Sequence, residues 1–406
     1  MAFATDFHIA FRNLGRNVKR TALALGAILI AQATVIFISS FMNGYQKVGF
    51  DAVTGPMLGH AQVHAQGYRK DRDSQKTIPA LGAALKAIRG TTGVATATGR
   101  TYAPVLAALG DTGHTAEIVG VDLSQETREH GLLERLPENE WPRANEVLLG
   151  ADLAAEMDVK AGDTLAVVGQ GADGAPVSGL FKVLRTMRTR VDGLNRKGIF
   201  MSLSEAQEFL GMEDQAHEIL IRVQGMELLP GVLERLKGLP ELKGYEVLAW
   251  DALQPQLASL LGMMDKANLL VLLLVFLTAA AGIANTMLMA TFERSREFGM
   301  LVALGCRPRR LVRVLLYESL FLGLAGMAAG LLAGGALVWL TSIHGIRLGG
   351  AENFSLEGFT LTVIYPTLAM QDVIRGVLGV SVTSVLACLL PAQRVTRLDP
   401  VEAMRI

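Results

Sequence analysis

Cysteine is nearly absent from this chain. The two present in 406 residues, Cys306 and Cys388, lie outside the large polar middle segment, so that segment has no disulfide to form. It must be held by core packing, which a length of roughly 220 residues permits. Charge is scarce too: 19% of residues are charged against 50% hydrophobic, and the mean hydropathy is +0.35. That balance is too apolar for an ordinary soluble enzyme and points to membrane spans. Lysine plus arginine and aspartate plus glutamate both number 38, so the zero net charge offers no reason to expect nucleic acid as partner. Catalytic constellations are missing as well. There is no G-x-x-x-x-G-K-[ST] phosphate loop, no Gly-Lys dipeptide, no H-E-x-x-H, no C-x-x-C and no G-x-S-x-G. His217 and His344 stand alone, no metal site is expected, and what remains is binding or mechanical work.

Long apolar runs are what the chain has instead. Residues 21–42, 267–291, 311–341 and 373–390 are each long and apolar enough to cross a hydrocarbon layer, which takes about 20 helical residues. The first run is longer than the apolar region of a signal peptide and lacks an obvious small-residue cleavage site, so it reads as a span. Arginine and lysine beside the membrane stay cytoplasmic. Arg12, Arg16, Lys19 and Arg20 precede the first run. Arg294, Arg296, Arg307, Arg309, Arg310 and Arg313 surround the second connection, and Arg394, Arg397 and Arg405 follow the fourth run. Both termini and residues 292–310 are therefore expected inside, with 43–266 and the connection 342–372 outside. Phe7, Phe11, Leu14 and Val18 recur at helical spacing, so residues 1–20 read as an amphipathic helix on the cytoplasmic surface or as an extension of the first span. Residues 391–406 form a cytoplasmic tail.

The segment 43–266 changes character, with short alternating runs broken by Gly, Pro and Asp. In GHAQVHAQGY, the residues His60, Gln62, His64 and Gln66 fall on one face of a strand. That period argues for a polar strand face and against a His60/His64 metal pair. AEIVGVDL, EVLLGADLAAEM, AGDTLAVVG and LFKVLRTM read as strands and one helix start; SLSEAQEFLGM, capped by Ser202 or Ser204, and PGVLERLKGL read as helices. The fold class is thus an α-helical membrane protein of four spans with a large α+β extracytoplasmic domain between the first two. In the third run, Gly326, Gly330 and Gly334 repeat every four residues and invite close helix packing. Gln32, Thr34 and Asn285 are polar residues inside spans and are expected to face protein or a wet cavity.

Between the second and third runs lies FERSREFGMLVALGCRPRR, a short amphipathic helix from Glu293 to Leu304, ended by Gly305 and followed by Pro308. Its ERSREFGMLVALG resembles the coupling-helix signature of the ABC-transporter permeases that include the macrolide exporter MacB, the division protein FtsX and the lipoprotein-releasing LolC and LolE. FMNGYQKV at the end of the first run, VLLGADLAAEMDVKAGDTL in the middle and PAQRVTRLDPVEAMR at the close are similar to further motifs of that family, so the resemblance runs from end to end. It implies a type VII architecture, in which porter and Sabre-like lobes make up the extracytoplasmic domain.

The resemblance also implies how such a chain works. Two permeases, identical or homologous, pair in the inner membrane and bind two separate ATPase chains, which hold ATP and magnesium; this chain needs no cofactor of its own. Glu293, Arg294, Arg296, Glu297, Gly299, Leu301, Leu304 and Gly305 form the ATPase-coupling element. Phe37, Phe41 and Met42 of the first span with Leu269, Leu270 and Leu273 of the second line a substrate opening. The function implied is mechanotransmission, closest to lipoprotein or lipid release, with a periplasmic chaperone, adaptor or lipoprotein as outside partner. The hairpin tip GQGADGAPVSG is short and lacks the longer hook of one lipoprotein-release subunit. Two other members of the superfamily leave alternatives open: a small-molecule or peptide exporter working with a periplasmic adaptor, and a non-transporting regulator of a cell-wall hydrolase.

Overall fold

The computed structural model describes residues 7, 8, 10, 12, 15, 18–126, 131–133, 136–189, 191–347, 355–356, 359–360 and 363–396. Most of the N-terminal amphipathic stretch and the tail motif beyond 396 lie outside these residues. Among the described residues, four helices are long and apolar enough to cross a membrane, with mean hydropathies of 2.2, 2.4, 1.9 and 2.1 over their most apolar stretches. They are α1 (Val18–Val53), α2 (Pro255–Glu293), α4 (Pro308–His344) and α5 (Met370–Thr396), with the short α3 (Ser295–Ala303) between α2 and α4. Helix is the natural form of such runs, because hydrocarbon offers no partner for the backbone and each N–H must bond within its own segment. α1 and α2 continue well past their apolar runs, through 43–53 and 255–266, where polar residues such as Gln46, Lys47, Asp51, Gln256, Asp265 and Lys266 interrupt the apolar pattern.

The chain divides into two compact units, one helical and one mostly strand. In the helical unit the glycine ladder of α4 lies against α1. A Cβ on Gly326 would stand 2.7 Å from Ile28, on Gly330 2.6 Å from Gln32, and on Gly334 3.0 Å from Ala33. Only a residue without a side chain permits that approach. Gln32 is fully buried there, while Asn285, also expected to face protein, lies on the exposed side of α2. After α4, Ile346–Arg347 pairs antiparallel with Val363–Ile364.

The second unit is built on nine strands: β1 (Ala61–Ala65), β2 (Val94–Leu109), β3 (Thr112–Val121), β4 (Glu146–Gly150), β5 (Thr164–Gln170), β6 (Pro176–Met187), β7 (Gly198–Ser202), β8 (Glu218–Val223) and β9 (Tyr245–Ala249). The long β2 belongs to two lobes. On one side the order β2-β8-β1-β9, all antiparallel, with helices Leu81–Arg89 and Leu229–Lys237 as crossovers, is a split β-α-β arrangement of ferredoxin-like type. Its apolar face, Val63, Ile219 and Ile221, packs under those helices against Ile88, Val232 and Leu236. On the other side the order β2-β3-β7-β4-β6-β5 returns to β2 and closes a six-stranded barrel. Alternate residues such as Val105, Ile118, Leu149, Val167, Phe181 and Met201 form one buried cluster in it, and closure leaves the barrel no free edge. Helix Leu203–Leu210 follows β7, capped by Ser202, whose hydroxyl accepts from the Glu205 N–H at 3.2 Å.

Candidate functional site

Glu293 ends α2, and Arg294 leaves helical geometry with φ −105° and ψ 10°, so α3 begins at Ser295 and not at the expected Glu293. What replaces the helix there is a side-chain joint. The Arg294 guanidinium donates to both Glu318 oxygens, at 3.3 and 3.5 Å, and to Glu297 Oε2 at 3.3 Å, and it stands 5.2 Å over the Phe298 ring. One arginine thus ties the end of α2, the first turn of α3 and the flank of α4. Glu318 is 4% exposed. A carboxylate at such depth is retained only with a partner, and removing one member of a buried pair typically costs about 3–5 kcal/mol.

Phe298 and Gly299 turn inward, Phe298 into the core made by Met287, Leu311, Leu315 and Cys388. Met300, Leu301 and Leu304 stand on the surface at 51%, 42% and 78% exposure, a larger apolar area than a lone surface helix has reason to show. Glu293, Arg296 and Gly305 are exposed as well, and Glu297 is half-buried. The far end of α3 closes in a Schellman motif. Cys306 N–H donates to Leu301 O and Gly305 N–H to Val302 O, both at 2.9 Å, with Gly305 at φ +86°. Pro308 then opens α4 at a position where no backbone donor is needed. The helix is therefore pinned at both ends, with one face buried and one offered.

A second joint lies where α1 passes its apolar run. Asn43 donates to Asp372 Oδ2 at 2.5 Å and to Thr367 O at 3.4 Å, while Thr367 N–H donates to Ser40 O at 2.9 Å. A Cβ on Gly44 would stand 2.3 Å from Tyr365 O. The Asn-Gly of FMNGYQKV therefore docks the strap that leads into α5. Gln46 also donates to Asp265 of α2, at 2.9 Å. Neither Glu318 nor Asp372 was singled out from sequence. The available signal was that each is the sole acid in or at the head of an apolar run, and such residues are by default functional or paired.

The third joint is inside the strand unit. The β1 face bearing Gln62 and His64 is buried, at 1% and 0% exposure, and not solvated. Against it lie Arg100 of β2, Glu218 and Arg222 of β8, and the π-helical turn Thr54–Leu58. Arg100 is fully buried. It binds Glu126 through two parallel contacts of 2.7 Å, and its third nitrogen donates to Met57 O and to the Tyr102 hydroxyl, each at 3.4 Å. Gln62 also donates to Met57 O, and Arg222 to Gly55 O. Arg69 reaches Gln62 Oε1 and Leu253 O. The turn after α1 and the short helix before α2 are thereby fastened to one hydrogen-bonded layer. The Tyr102 hydroxyl donates to Glu218, whose carboxyl is pushed up by burial. His64 is lowered to about 4, by burial first and Arg69 second; its Nε2 is engaged by Gln62 Oε1, and its buried Nδ1 has no hydrogen-bond partner among the described residues. His60 accepts from the Val223 N–H, apart from His64.

A family profile described as MacB-like periplasmic core domain matches residues 21–239, more than half of the chain, and one described as FtsX-like permease C-terminal matches residues 269–400. The chain belongs to the MacB/FtsX/LolC family of ABC permeases. A relative of this permease from Xylella fastidiosa, named lipoprotein-releasing system transmembrane protein LolC, is 25% identical over 418 residues, covering 96% of this chain and 95% of its own length. The macrolide export ATP-binding/permease protein MacB of Syntrophobacter fumaroxidans is 31% identical over 150 residues, 37% of this chain and 18% of that protein. Among solved structures, the periplasmic region of MacB from Actinobacillus actinomycetemcomitans is similar at 13% identity and a TM-score of 0.34, covering 50% of this chain and 94% of that one.

In this permease the residues expected to line a substrate opening fall into two settings. Phe37 and Phe41 stack at 6.4 Å on α1 and are half-buried, as is Met42. Leu269, Leu270 and Leu273 stand on the surface of α2, exposed by 69%, 60% and 56%.

Proposed function

We propose that the chain is the transmembrane subunit of an inner-membrane complex in which separate ATPase chains, carrying ATP and magnesium, drive the release of lipoproteins or lipids. Both termini and α3 lie in the cytoplasm, and the strand unit lies in the periplasm. Relatives that match along nearly their whole length are named for lipoprotein release, whereas the exporter matches cover at most 24% of their own length, which favours release over export.

The observation that carries the reading is the two-sided character of α3. One side is locked by Arg294, Glu318 and Phe298, and the other presents Met300, Leu301 and Leu304. A helix so built serves as a rigid peg for an apolar socket on an ATPase. Movement of the peg passes through Arg294 to α2 and α4 together, and not to a loose loop. From there α1 and α2, cross-tied by Gln46 and Asp265, carry it outward. The acyl chains of the cargo would meet Phe37, Phe41, Met42, Leu269, Leu270 and Leu273, and the periplasmic partner would be a chaperone, an adaptor or a lipoprotein.

The test is co-purification of the ATPase on a tag carried by this chain. With Leu304→Asp, the ATPase is expected to be lost from the eluate while the permease remains in the membrane fraction at its normal level. Glu318→Gln is expected to retain the ATPase but to lose stimulation of its turnover by cargo. Retention of full ATPase binding by Leu304→Asp together with Met300→Asp would sink the reading.

A further inference from the structure

The strand unit holds a cavity of about 460 Å³ that the mechanism above leaves unused. It opens where three parts of the unit meet. Met57 comes from the turn after α1, Arg72 follows the short helix Tyr68–Asp71 of the ferredoxin-like lobe, and Glu117 comes from β3 of the barrel. Val191, Leu194, Arg196 and Lys197, in and beside helix Asp192–Lys197, complete it. The size is that of small-molecule pockets, roughly 300–1,000 Å³, which favour the junctions between lobes.

Its chemistry is one-sided. Three cations face one carboxylate, and Arg72 Nη1 lies 3.5 Å from Glu117 Oε1. Arg196 and Lys197 are exposed and take part in no ion pair among the described residues. Burial raises the Glu117 carboxyl, against the pull of Arg72 and Lys197. Met57, Val191 and Leu194 add an apolar wall. Arg72 adopts φ +46°, a left-handed conformation that glycine or asparagine takes far more easily. The chain thus keeps an arginine where an uncharged residue would fit the backbone better.

We propose that this cavity binds an organic phosphate monoester, its dianion between Arg72, Arg196 and Lys197 and its organic part on Met57 and Leu194. A dianion of about −1.5 to −2 matches the local excess of two positive charges, and arginine forks suit phosphate oxygens. A bare inorganic ion would leave the apolar wall uncovered. A ligand seated here touches both lobes and the turn after α1 at once. The inference does not depend on which cargo the permease serves.

Two sources share this chemistry, a soluble phosphate ester and the headgroup of a lipid phosphomonoester. The test is protection of Lys197 from amine acetylation, read by mass spectrometry on the intact chain. One arm uses detergent-purified permease with glycerol 3-phosphate, and the other uses phosphatidylcholine bilayers with and without phosphatidic acid. Protection is expected in at least one arm, and which arm responds identifies the source. Arg196→Ala should weaken it about tenfold through loss of a charge-assisted contact. Gly193→Phe provides a second variant that leaves every charge in place. Gly193 lines the cavity and a Cβ there meets nothing within 4 Å, so a bulky side chain at this position is expected to obstruct the cavity, and protection should disappear. Absence of protection in both arms, or protection unchanged by both variants, overturns the proposal.

Discussion

At the scale of single residues, the clearest consequence concerns His64. In its neutral form Nε2–H donates to Gln62 Oε1, and protonation would put on the buried Nδ1 an N–H with no partner among the described residues. His217 is pinned in the same form, with Nδ1 accepting from the Tyr102 N–H and Nε2 donating to Ser74 O, and burial lowers it too. A histidine whose folded value lies below its unfolded value gains protons on unfolding. Its contribution is therefore complete above about pH 6.5 and is lost as pH falls toward about 4. For His64 this amounts to about 3 kcal/mol. The urea midpoint of the strand unit, followed by Trp141 and Trp250 fluorescence in the full chain, should fall over that interval, and His64→Gln should flatten the slope. An unchanged slope in the variant would show that the titration belongs elsewhere. The alternation in GHAQVHAQGY places Gln62 and His64 on one face, and the structure agrees. Sequence could not say that this polar face is the buried one. Its covering groups, Arg100, Arg222 and the turn at Met57, come from distant parts of the chain, and strand periodicity alone carries no information about them.

At the scale of elements, the long helices were legible because each apolar run is long enough to exclude other structures. Their ends were less so. α1 and α2 continue past the lipid-compatible residues, and α3 starts after Arg294 because that side chain turns to Glu318, a partner two elements away that no local pattern reveals. The glycine ladder was legible as a packing face but not as to its partner. It meets α1, and the spacing of its contacts makes a sharp comparison. Gly330 has no room for a methyl group, since a Cβ there falls 2.6 Å from Gln32 and 2.8 Å from Leu29 O, whereas a Cβ on Gly335 meets nothing within 4 Å. Gly330→Ala should therefore destabilise the helical unit by about 1–3 kcal/mol through overpacking. Gly335→Ala should be neutral or gain up to about 1 kcal/mol from helix propensity. Thermal aggregation temperatures of the two variants in the same detergent separate them, and equal temperatures would mean that α4 slides freely on α1.

At the scale of the whole molecule, α2 is the helix left least covered. Only 17% of its most apolar stretch is buried within the chain, against 33%, 39% and 35% for the other three. Lipid can cover leucine, but α2 also presents Asn285 on its surface, and an amide in hydrocarbon is stabilised by finding a partner on a neighbouring helix. Lipid alone is therefore a poor environment for this face, and a second permease, identical or homologous, would cover it. With Cys306 and Cys388 replaced by serine, Leu277→Cys should cross-link in native membranes to the other permease. Leu332→Cys, 77% exposed on α4, serves as the lipid-facing control and should not. A disulfide forms only where the two Cα atoms come within about 7 Å, so the product reports contact between the α2 faces themselves. A cross-linked species of twice the chain mass would mean identical partners; a disulfide needs a thiol on each chain, so a homologous partner would be captured, at a different mass, once a cysteine is placed at the matching position of its own helix. If cysteines scanned along the exposed face from Leu269 to Leu277 all fail to cross-link while the Leu332 control succeeds, the pairing surface is α4, and the exposed asparagine must be satisfied by some other component of the complex.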